Sequence, residues 1–288
     1  MCKILLVDGF DQSKQKENWK FVIEMGRSMS KGNTHGLGYA AINSKQELYG
    51  ERWLYNNEAF SIRHQSKQDR KIASGILRKF KDIINYDLMY RKYNNFGLLN
   101  IDLKAIMLHT RLATCDKVLK NVHPFVDNQT GTALIHNGKI NNSTFQDNIR
   151  STCDSERILN QYLLHNVSLD PTNMTYVCNE LCGEMACGIF GKDINGYYLD
   201  IWRSCKNNLY GSYIRGLGIT VFTTDIDDIR SVCKKLNYNS VCAFQIKENV
   251  LLRLNALSGE IKQTETFTGI KSYYSKGFCL EKNYWNTV

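Results

Sequence analysis

The apolar residues of this chain fall mostly into short runs that are separated by turn residues, a pattern typical of strands. Residues 3–7 are predicted to form a buried strand because four apolar residues follow one another directly. Leu37, Tyr39 and Ala41 alternate with smaller residues and predict a second strand after the turn residues of 32–36. Similar runs predict seven more strands, at residues 105–108, 132–135, 185–190, 197–203, 219–223, 241–246 and 250–254.

A four-residue spacing of apolar positions predicts helices in other parts of the chain. Ile72, Ile76, Phe80 and Ile84 recur at this spacing within residues 66–93, with charged residues between them. Three further helices are predicted: one after Asp154 as N-cap, with Glu156 in its first turn and Ile158, Leu159, Tyr162 and Leu163 as its stripe; one around residues 176–182; and one after Asp225 with Ile226, Ile229, Val232 and Leu236.

The composition is that of a globular domain. Of the 288 residues, 43% are hydrophobic and 23% are charged, which is close to the average for globular proteins. No proline-rich or Gly/Ser-rich linker and no internal repeat divides the chain, so one domain of sheets and helices is expected. The apolar runs, such as residues 4–7, are too short to span a bilayer, and no signal peptide opens the chain.

Charge and cysteine content bear on the partners and the compartment. Ten cysteines without a disulfide framework favour reduced thiols, and we therefore expect a cytoplasmic protein. The net charge of +9 leaves nucleic acid as an alternative partner, although a solvated helix face explains the basic cluster of residues 67–81 more simply.

Cys2 follows the initiator methionine, so removal of Met1 would place a thiol and a free α-amine on one residue. The amine titrates near pKa ~8 and the thiol near ~8.5, so the amine can take the thiol proton close to neutral pH. Position alone does not establish such a nucleophile, because any small residue can follow Met1. Support must therefore come from other polar residues of the chain.

Three polar clusters supply candidate chemistry, and each also has a simpler explanation. Arg111 follows an apolar strand, where its guanidinium could clamp a carboxylate or form an ordinary surface salt bridge. Asn137 and Gly138 offer a side-chain amide and a backbone amide that could stabilise an oxyanion, or they form an Asn-Gly turn. Asp154 places a carboxylate next to a predicted helix start, or it simply caps that helix.

Taken in order, these motifs resemble the class II glutamine amidotransferases, which are N-terminal-nucleophile hydrolases. The resemblance rests on six segments of the sequence: Met1-Cys2-Lys3-Ile4-Leu5-Leu6, Gly36-Leu37-Gly38-Tyr39-Ala40, His109-Thr110-Arg111-Leu112-Ala113-Thr114, Asn121-Val122-His123-Pro124-Phe125, His136-Asn137-Gly138-Lys139-Ile140 and Cys153-Asp154-Ser155-Glu156. It covers roughly the first half of the chain, and Cys153 stands where the family more often has serine or threonine. The stretch 43–104 is longer than usual for the family.

The resemblance implies an α+β fold, a four-layer αββα sandwich, with residues 1–288 as a single domain and a short C-terminal extension after about residue 255. It implies that Cys2 attacks the side-chain amide of glutamine while its own α-amine carries the proton. Asn137 and Gly138 would form the oxyanion hole, Arg111 would bind the substrate α-carboxylate and Asp154 its α-ammonium. Thr114 would line the pocket. No cofactor and no metal are implied.

Other chemistries remain open at this stage. His123 or His136 could pair with a cysteine as in a protease, and His109, His123 and His136 could hold zinc, although their spacing does not suggest one shared face. Cys178, Cys182 and Cys187 lack the short spacing of zinc ribbons. We rank these alternatives below the N-terminal cysteine because the amine supplies the base without them.

The expected function is release of ammonia from glutamine. The synthase that accepts the ammonia would be a separate partner, because the C-terminal extension is too short for another domain. Two alternatives stand beside it. One is a stand-alone amidase that acts on another γ-glutamyl or small amide. The other is a non-catalytic binding protein on the same scaffold.

Overall fold

Strands dominate the protein. A computed structural model describes residues 2–31, 33, 35–54, 102–113, 116–140, 149–181, 183–204, 206–238 and 243–266. The strands of the described residues are β1 Lys3–Asp8, β2 Gly36–Asn43, β3 Leu48–Leu54, β4 Leu103–Arg111, β5 Phe125–Asp127, β6 Thr132–Ile140, β7 Gly183–Asp193, β8 Gly196–Arg203, β9 Tyr210–Ile214, β10 Ile219–Thr223, β11 Ala243–Gln245, β12 Val250–Asn255 and β13 Ile261–Thr266. The α-helices are α1 Gln15–Met29, α2 Glu156–Leu164, α3 Met174–Glu180 and α4 Ile226–Lys235, and short 3-10 helices lie at Gln12–Lys14, Leu119–Asn121 and Pro171–Asn173.

The strands form two antiparallel sheets, so the fold is of the α+β class. The first sheet has the order β11-β9-β10-β1-β4-β2-β3. The second has the order β13-β12-β8-β7-β6-β5. Strand β1 lies near the middle of the first sheet, between β10 and β4, and this position fixes the backbone next to Cys2 on both sides.

The predicted strands are confirmed within the described residues, since an observed strand overlaps each of them. Residues 241 and 242 of the predicted 241–246 strand lie outside the described part. Four observed strands, β3, β5, β9 and β13, were not predicted. The second sheet therefore continues past residue 255, because β13 pairs with β12.

Two strands extend further than their apolar runs, and here the prediction was wrong. Polar residues were expected to follow the strands at 105–108 and 132–135, but β4 continues through Arg111 and β6 through Ile140. Arg111 of β4 still pairs with Gly36 of β2, and Gly138 of β6 with Met185 of β7. Pairing with long neighbouring strands extends these elements beyond what their own apolar residues indicate.

The helix predictions were confirmed in part. Helix α4 begins after Asp225, whose side chain accepts a hydrogen bond from the Asp227 N–H at 3.1 Å. Helix α3 covers most of the predicted 176–182 segment. Helix α2 is present, but Ser155 occupies its N-cap position, so the prediction that Asp154 caps it was wrong. The predicted stripe within residues 66–93 lies outside the described residues.

Helix α1 was not predicted, although the sequence carries its signal. Phe21, Val22, Met25 and Met29 are fully buried on one face of the helix, at the spacing that an amphipathic helix requires. They pack in a hydrophobic cluster with residues of the first sheet and of α4. Within the described residues, no helix is long and apolar enough to cross a membrane.

Three hydrophobic clusters hold these elements together. One joins α1 and α4 to the first sheet, and another joins α2 and α3 to the second sheet. The third contains side chains of both sheets, including Leu6 of β1 and Ile135 of β6. The sheets approach closely at Gly188 of β7, where an added Cβ would lie 2.4 Å from Leu6 Cδ2. A larger residue at position 188 would therefore push the sheets apart.

Candidate active site

Cys2 lies at the start of β1 and is half-buried. Its Sγ is 3.4 Å from both the backbone N and the backbone O of Leu112, the residue that follows β4. The thiol can therefore donate to the carbonyl, while the thiolate can accept from the N–H. This contact exists because β1 and β4 pair side by side, with Lys3 opposite Thr110.

Opposing charges act on the Cys2 thiol. Burial is the largest influence and holds the pKa of Cys2 above its usual value, although the Leu112 N–H and the positive charge of Arg111 lower it. The negative charge of Asp154 raises the pKa of Cys2 again. Arg111 and Asp154 are 43 positions apart in the sequence, yet both are close enough to this sulfur to influence its ionisation.

Arg111 is the last residue of β4 and is only 2% exposed, so it is not an ordinary surface residue. Its Nη2 donates to the Asp116 carbonyl at 2.8 Å. Asn121 donates to the same carbonyl at 3.0 Å, and its side chain also forms two hydrogen bonds with Thr152, at 2.7 and 3.0 Å. The loop that orients Arg111 is thereby tied to the segment that leads to Asp154.

Asn137 and Gly138 lie inside β6, so the alternative of an Asn-Gly turn is wrong. Gly138 has φ +151°, which side chains with a Cβ rarely adopt, and a Cβ there would lie 1.8 Å from the Glu184 carbonyl oxygen. The Asn137 carbonyl accepts a hydrogen bond from Asn207 Nδ2 at 2.7 Å.

Asp154 contacts the end of β6. Its Oδ2 accepts a hydrogen bond from the Ile140 backbone N at 2.6 Å, two residues after Gly138. This bond replaces the predicted helix cap and brings the carboxylate towards the strand that carries Asn137. The charge of Asp154 also raises the pKa of His136, while burial, the larger effect, lowers it.

Three histidines of the family-like motifs form a buried row beside these residues. The ring centroids of His109 and His123 are 4.1 Å apart, and those of His123 and His136 are 6.4 Å apart. His136 contacts Ser155 Oγ at 2.7 Å and the Glu184 carbonyl at 3.2 Å. Burial lowers the pKa of His109 to about 3, with further lowering by His136 and Arg111, so this ring is neutral near pH 7.

The histidine row does not support the protease-like or zinc alternatives. Among the hydrogen bonds of the described residues, none joins a histidine ring to Cys2. In the same part of the chain, no group of three or more histidine, cysteine, aspartate or glutamate side chains has an arrangement that could hold a metal ion. Cys178 of α3 and Cys187 of β7 lie in the apolar cluster that joins α2 and α3 to the second sheet, where burial raises the pKa of both thiols. Cys182 is outside the described residues.

The structure thus places Arg111 and Asp154 where both charges influence the ionisation of Cys2. A hydrogen bond from Ile140 ties Asp154 to the strand of Asn137 and Gly138. Thr114 lies outside the described residues. Asn207 was not predicted as a site residue, because no local motif indicates it. No role was predicted for His35 either, whose Nδ1 accepts a hydrogen bond from the Ala113 N–H at 2.7 Å.

Comparison with known proteins gives a likeness of fold. No family model matches the sequence. No curated protein matches it either. Among solved structures, glutamine phosphoribosylpyrophosphate amidotransferase from B. subtilis, in complex with ADP and GMP, matches with a TM-score of 0.59 and 13% identity, over 92% of this chain and 49% of that one.

A second structure, described as the allosteric regulatory enzyme of purine biosynthesis, matches with a TM-score of 0.60, 13% identity and the same shares of the two chains. The present chain therefore spans about half the length of both structures. One of these two solved structures of similar fold is a glutamine amidotransferase, in agreement with the family that the motifs resemble. At this identity the likeness is one of fold, and the chemistry has to be argued from the residues of the site.

Proposed function

We propose that the protein hydrolyses the side-chain amide of glutamine and releases ammonia, with Cys2 as an N-terminal nucleophile. The observation that carries this proposal is the placement of a pair of opposite charges beside one thiol: Cys2 Sγ contacts Leu112, the neighbour of the buried Arg111, and Asp154 is held at the end of β6 by the Ile140 N–H. A free amino acid carries an α-carboxylate and an α-ammonium, and such a pair can bind both groups at once. A substrate held in this way would present its side chain to Cys2.

The proposed reaction begins once Met1 has been removed. The α-amine of Cys2 takes the thiol proton, and Sγ then attacks the amide carbon of the substrate. As the carbon–nitrogen bond breaks, the protonated amine gives the proton to the leaving nitrogen, and ammonia departs. Water then attacks the thioester, so that glutamate is released and the thiol is restored.

The negative charge that develops on the amide oxygen needs hydrogen-bond donors. We assign this role to the side-chain amide of Asn137 and the backbone N–H of Gly138. Each such donor typically contributes about 3 kcal/mol to transition-state stabilisation in acyl transfer. Burial supports the part of the assignment that concerns Asn137, which is only 5% exposed, because a hydrogen bond is stronger where water is excluded.

The proposal extends to the surroundings of the site. We propose that the layers are ordered helix, sheet, sheet and helix, as the content of the three hydrophobic clusters supports. We also propose a separate synthase as the acceptor of the ammonia, and the cytoplasm as the location. The free thiols of Cys153, Cys178, Cys187 and Cys233 fit a reducing compartment.

The test combines the intact mass of the purified protein with glutamate release from free glutamine. We expect a mass lower by one methionine residue, and release that depends on glutamine and disappears in Cys2→Ala. Cys153→Ala is the matched control because Cys153 is another cysteine whose thiol contacts Asp154, at 3.6 Å. A processed protein that leaves glutamine intact would refute the proposal, and a panel of γ-glutamyl amides would then identify a different amide substrate.

A further inference from the structure

Asn207 stands out because its buried side chain contacts the backbone of the proposed oxyanion hole from a distant part of the sequence. It is 3% exposed and lies in the segment between β8 and β9. Its Nδ2 donates to the Asn137 carbonyl at 2.7 Å, across a separation of 70 positions. Its neighbours Lys206 and Asn208 are exposed, so position 207 alone of these three turns inward.

The bond at the Asn137 carbonyl also determines where the Gly138 N–H points. The peptide between Asn137 and Gly138 is a rigid plane, and in a trans peptide the C=O and the N–H point in opposite directions. A donor that fixes the carbonyl on one side therefore fixes the direction of the N–H on the other. A hydrogen bond to the carbonyl also polarises the peptide and makes its N–H a stronger donor.

Gly138 is what allows Asn207 to come this close. A Cβ added at Gly138 would lie 2.7 Å from Asn207 Nδ2, and 1.8 Å from the Glu184 carbonyl oxygen. The amide of Asn207 thus occupies space on the face of the strand where any other residue would carry its side chain. The hydrogen bond from Asn207 to the Asn137 carbonyl therefore depends on glycine at position 138.

Asn207 is itself held in place by Arg203, which is 6% exposed. The Nη1 of Arg203 donates to the carbonyl of Asn207 at 3.2 Å and to that of Ser204 at 3.3 Å. The same guanidinium pairs with Glu248 at 3.4 Å. The segment that carries Asn207 is therefore fixed by charged hydrogen bonds, as a positioning group requires.

We propose that Asn207 is a positioning residue that sets the Asn137–Gly138 peptide so that its N–H is directed at the developing oxyanion. The inference rests on the proposed function, because it assigns a task within that same site. Asn207 does not touch the substrate; it acts through the peptide. Its contribution therefore falls on the transition state, in which the oxyanion exists, and not on binding of glutamine.

The main test is the Asn207→Asp variant, whose side chain has nearly the same shape but lacks the donor that Asn137 needs. We expect kcat for glutamate release to fall about 10- to 100-fold while KM for glutamine stays within about twofold. The matched control is Asn208→Asp, which makes the same change at an exposed neighbour whose Oδ1 accepts from Gln245 Nε2 at 2.9 Å. We expect this control to retain the parent kcat.

A loss of folding would mimic a loss of kcat, so two further measurements accompany the test. Alkylation of Cys2 by iodoacetamide needs no oxyanion hole, and its rate should stay at the parent value in Asn207→Asp. Asn207→Ala, which introduces no charge, should show the same fall in kcat. Unchanged kcat in both variants, or a change confined to KM, would overturn the inference.

A second readout separates this inference from the proposed function. The backbone amide signal of Gly138 in an NMR spectrum should shift when Asn207 no longer binds the carbonyl, whether or not the protein turns over glutamine. If the parent protein releases no glutamate, the proposed function fails, and the role of Asn207 is then decided by this signal. If the Gly138 signal does not shift in Asn207→Asp, the claim that Asn207 positions the Asn137–Gly138 peptide is refuted.

Discussion

The buried position of the Arg111 side chain determines what its guanidinium can bind. It is nearly inaccessible to solvent, and the Asp116 carbonyl binds its Nη2 at 2.8 Å. A guanidinium can bind a carboxylate through two parallel hydrogen bonds, whereas an ammonium acts as a point charge. At this position the shape of the cation should therefore matter as much as its charge.

Arg111→Lys tests that expectation. If Arg111 clamps the substrate α-carboxylate, KM for glutamine should rise about 10- to 100-fold, with a smaller effect on kcat, because a charge-assisted hydrogen bond is lost. Steady-state kinetics over a wide glutamine range measures both constants. Arg230→Lys is the control, since Arg230 is exposed and pairs only with Asp227 at 3.2 Å among the described residues. An unchanged KM in Arg111→Lys would contradict the clamp.

Gly138→Ala should be among the most damaging small substitutions in the protein. The new Cβ would meet the Glu184 carbonyl oxygen at 1.8 Å in a backbone conformation that alanine disfavours. We expect the free energy of unfolding to fall by about 3 kcal/mol or more.

The control for Gly138→Ala is Gly218→Ala, at another glycine with positive φ. Gly218 has φ +71°, but an added Cβ there meets nothing within 4 Å. The expected loss is about 1 kcal/mol, from the backbone conformation alone. Urea denaturation of both variants measures the difference, and equal losses would show that the close contact at Gly138 is relieved in solution.

At the scale of elements, two carboxylates at the start of helix α4 bind Lys3 of strand β1. Asp225 caps α4 through the Asp227 N–H at 3.1 Å, and its Oδ2 also pairs with Lys3 Nζ at 2.7 Å. Lys3 pairs with Asp228 of the same helix at 2.8 Å as well. Because Lys3 is adjacent to Cys2, the start of α4 restrains the position of the proposed nucleophile.

Asp225→Ala and Asp225→Asn separate these two tasks. The alanine variant loses the cap and the ion pair and should lower the free energy of unfolding by about 1 to 2 kcal/mol. The asparagine variant keeps a capping oxygen, so its loss should be smaller, within about 0.5 kcal/mol. Thermal denaturation measures both, with Asp227→Ala, at an exposed position of the same helix, as control. Equal losses in the two variants would argue against capping.

At the scale of the whole molecule, the buried ionisable groups couple stability to pH. Asp8, at the end of β1, is fully buried, and its Oδ2 has no hydrogen-bond partner among the described residues. Burial raises the pKa of Asp8 to about 7, although the Gly9 N–H acts in the opposite direction. The pKa of His109 moves the other way, to about 3, again because of burial.

Asp8→Asn should change the dependence of stability on pH. In the unfolded chain Asp8 ionises near pH ~4, but in the fold it stays protonated up to about pH 7, so the parent loses stability as pH rises through this window. The full loss is about 4 kcal/mol. The asparagine variant lacks this loss, so its advantage over the parent should grow from pH 4 to pH 7 and then stay constant.

The measurement is denaturant unfolding of parent and variant at several pH values. Asp227→Asn serves as control, because Asp227 is exposed. A difference between parent and Asp8→Asn that does not vary between pH 4 and pH 7 would contradict the raised pKa. In both proteins buried His109 acts in the opposite direction and makes stability rise with pH. The unfolded chain binds a proton below pH ~6.5 that His109 does not bind in the fold.

Most strand positions follow from the sequence alone, because a buried strand needs an unbroken or alternating apolar run and this signal is local. The run at residues 3–7 and the spacing behind Asp225 both became the predicted elements. The motifs around Arg111, Asn137 and Asp154 named the residues of the candidate site through their order in the chain. The signal of α1 was equally local, and it was overlooked in the sequence.

The contacts that those residues make depend on the folded structure. Whether Asp154 caps a helix or binds Ile140 depends on the distance to another strand, which spacing along the chain does not encode. Strand β6 carries Asn137 and Gly138 inside a sheet because β7 pairs with it there. Asn207 acquires a task only when folding brings it to the Asn137 carbonyl, since a hydrogen bond depends on atoms about 3 Å apart and not on sequence separation.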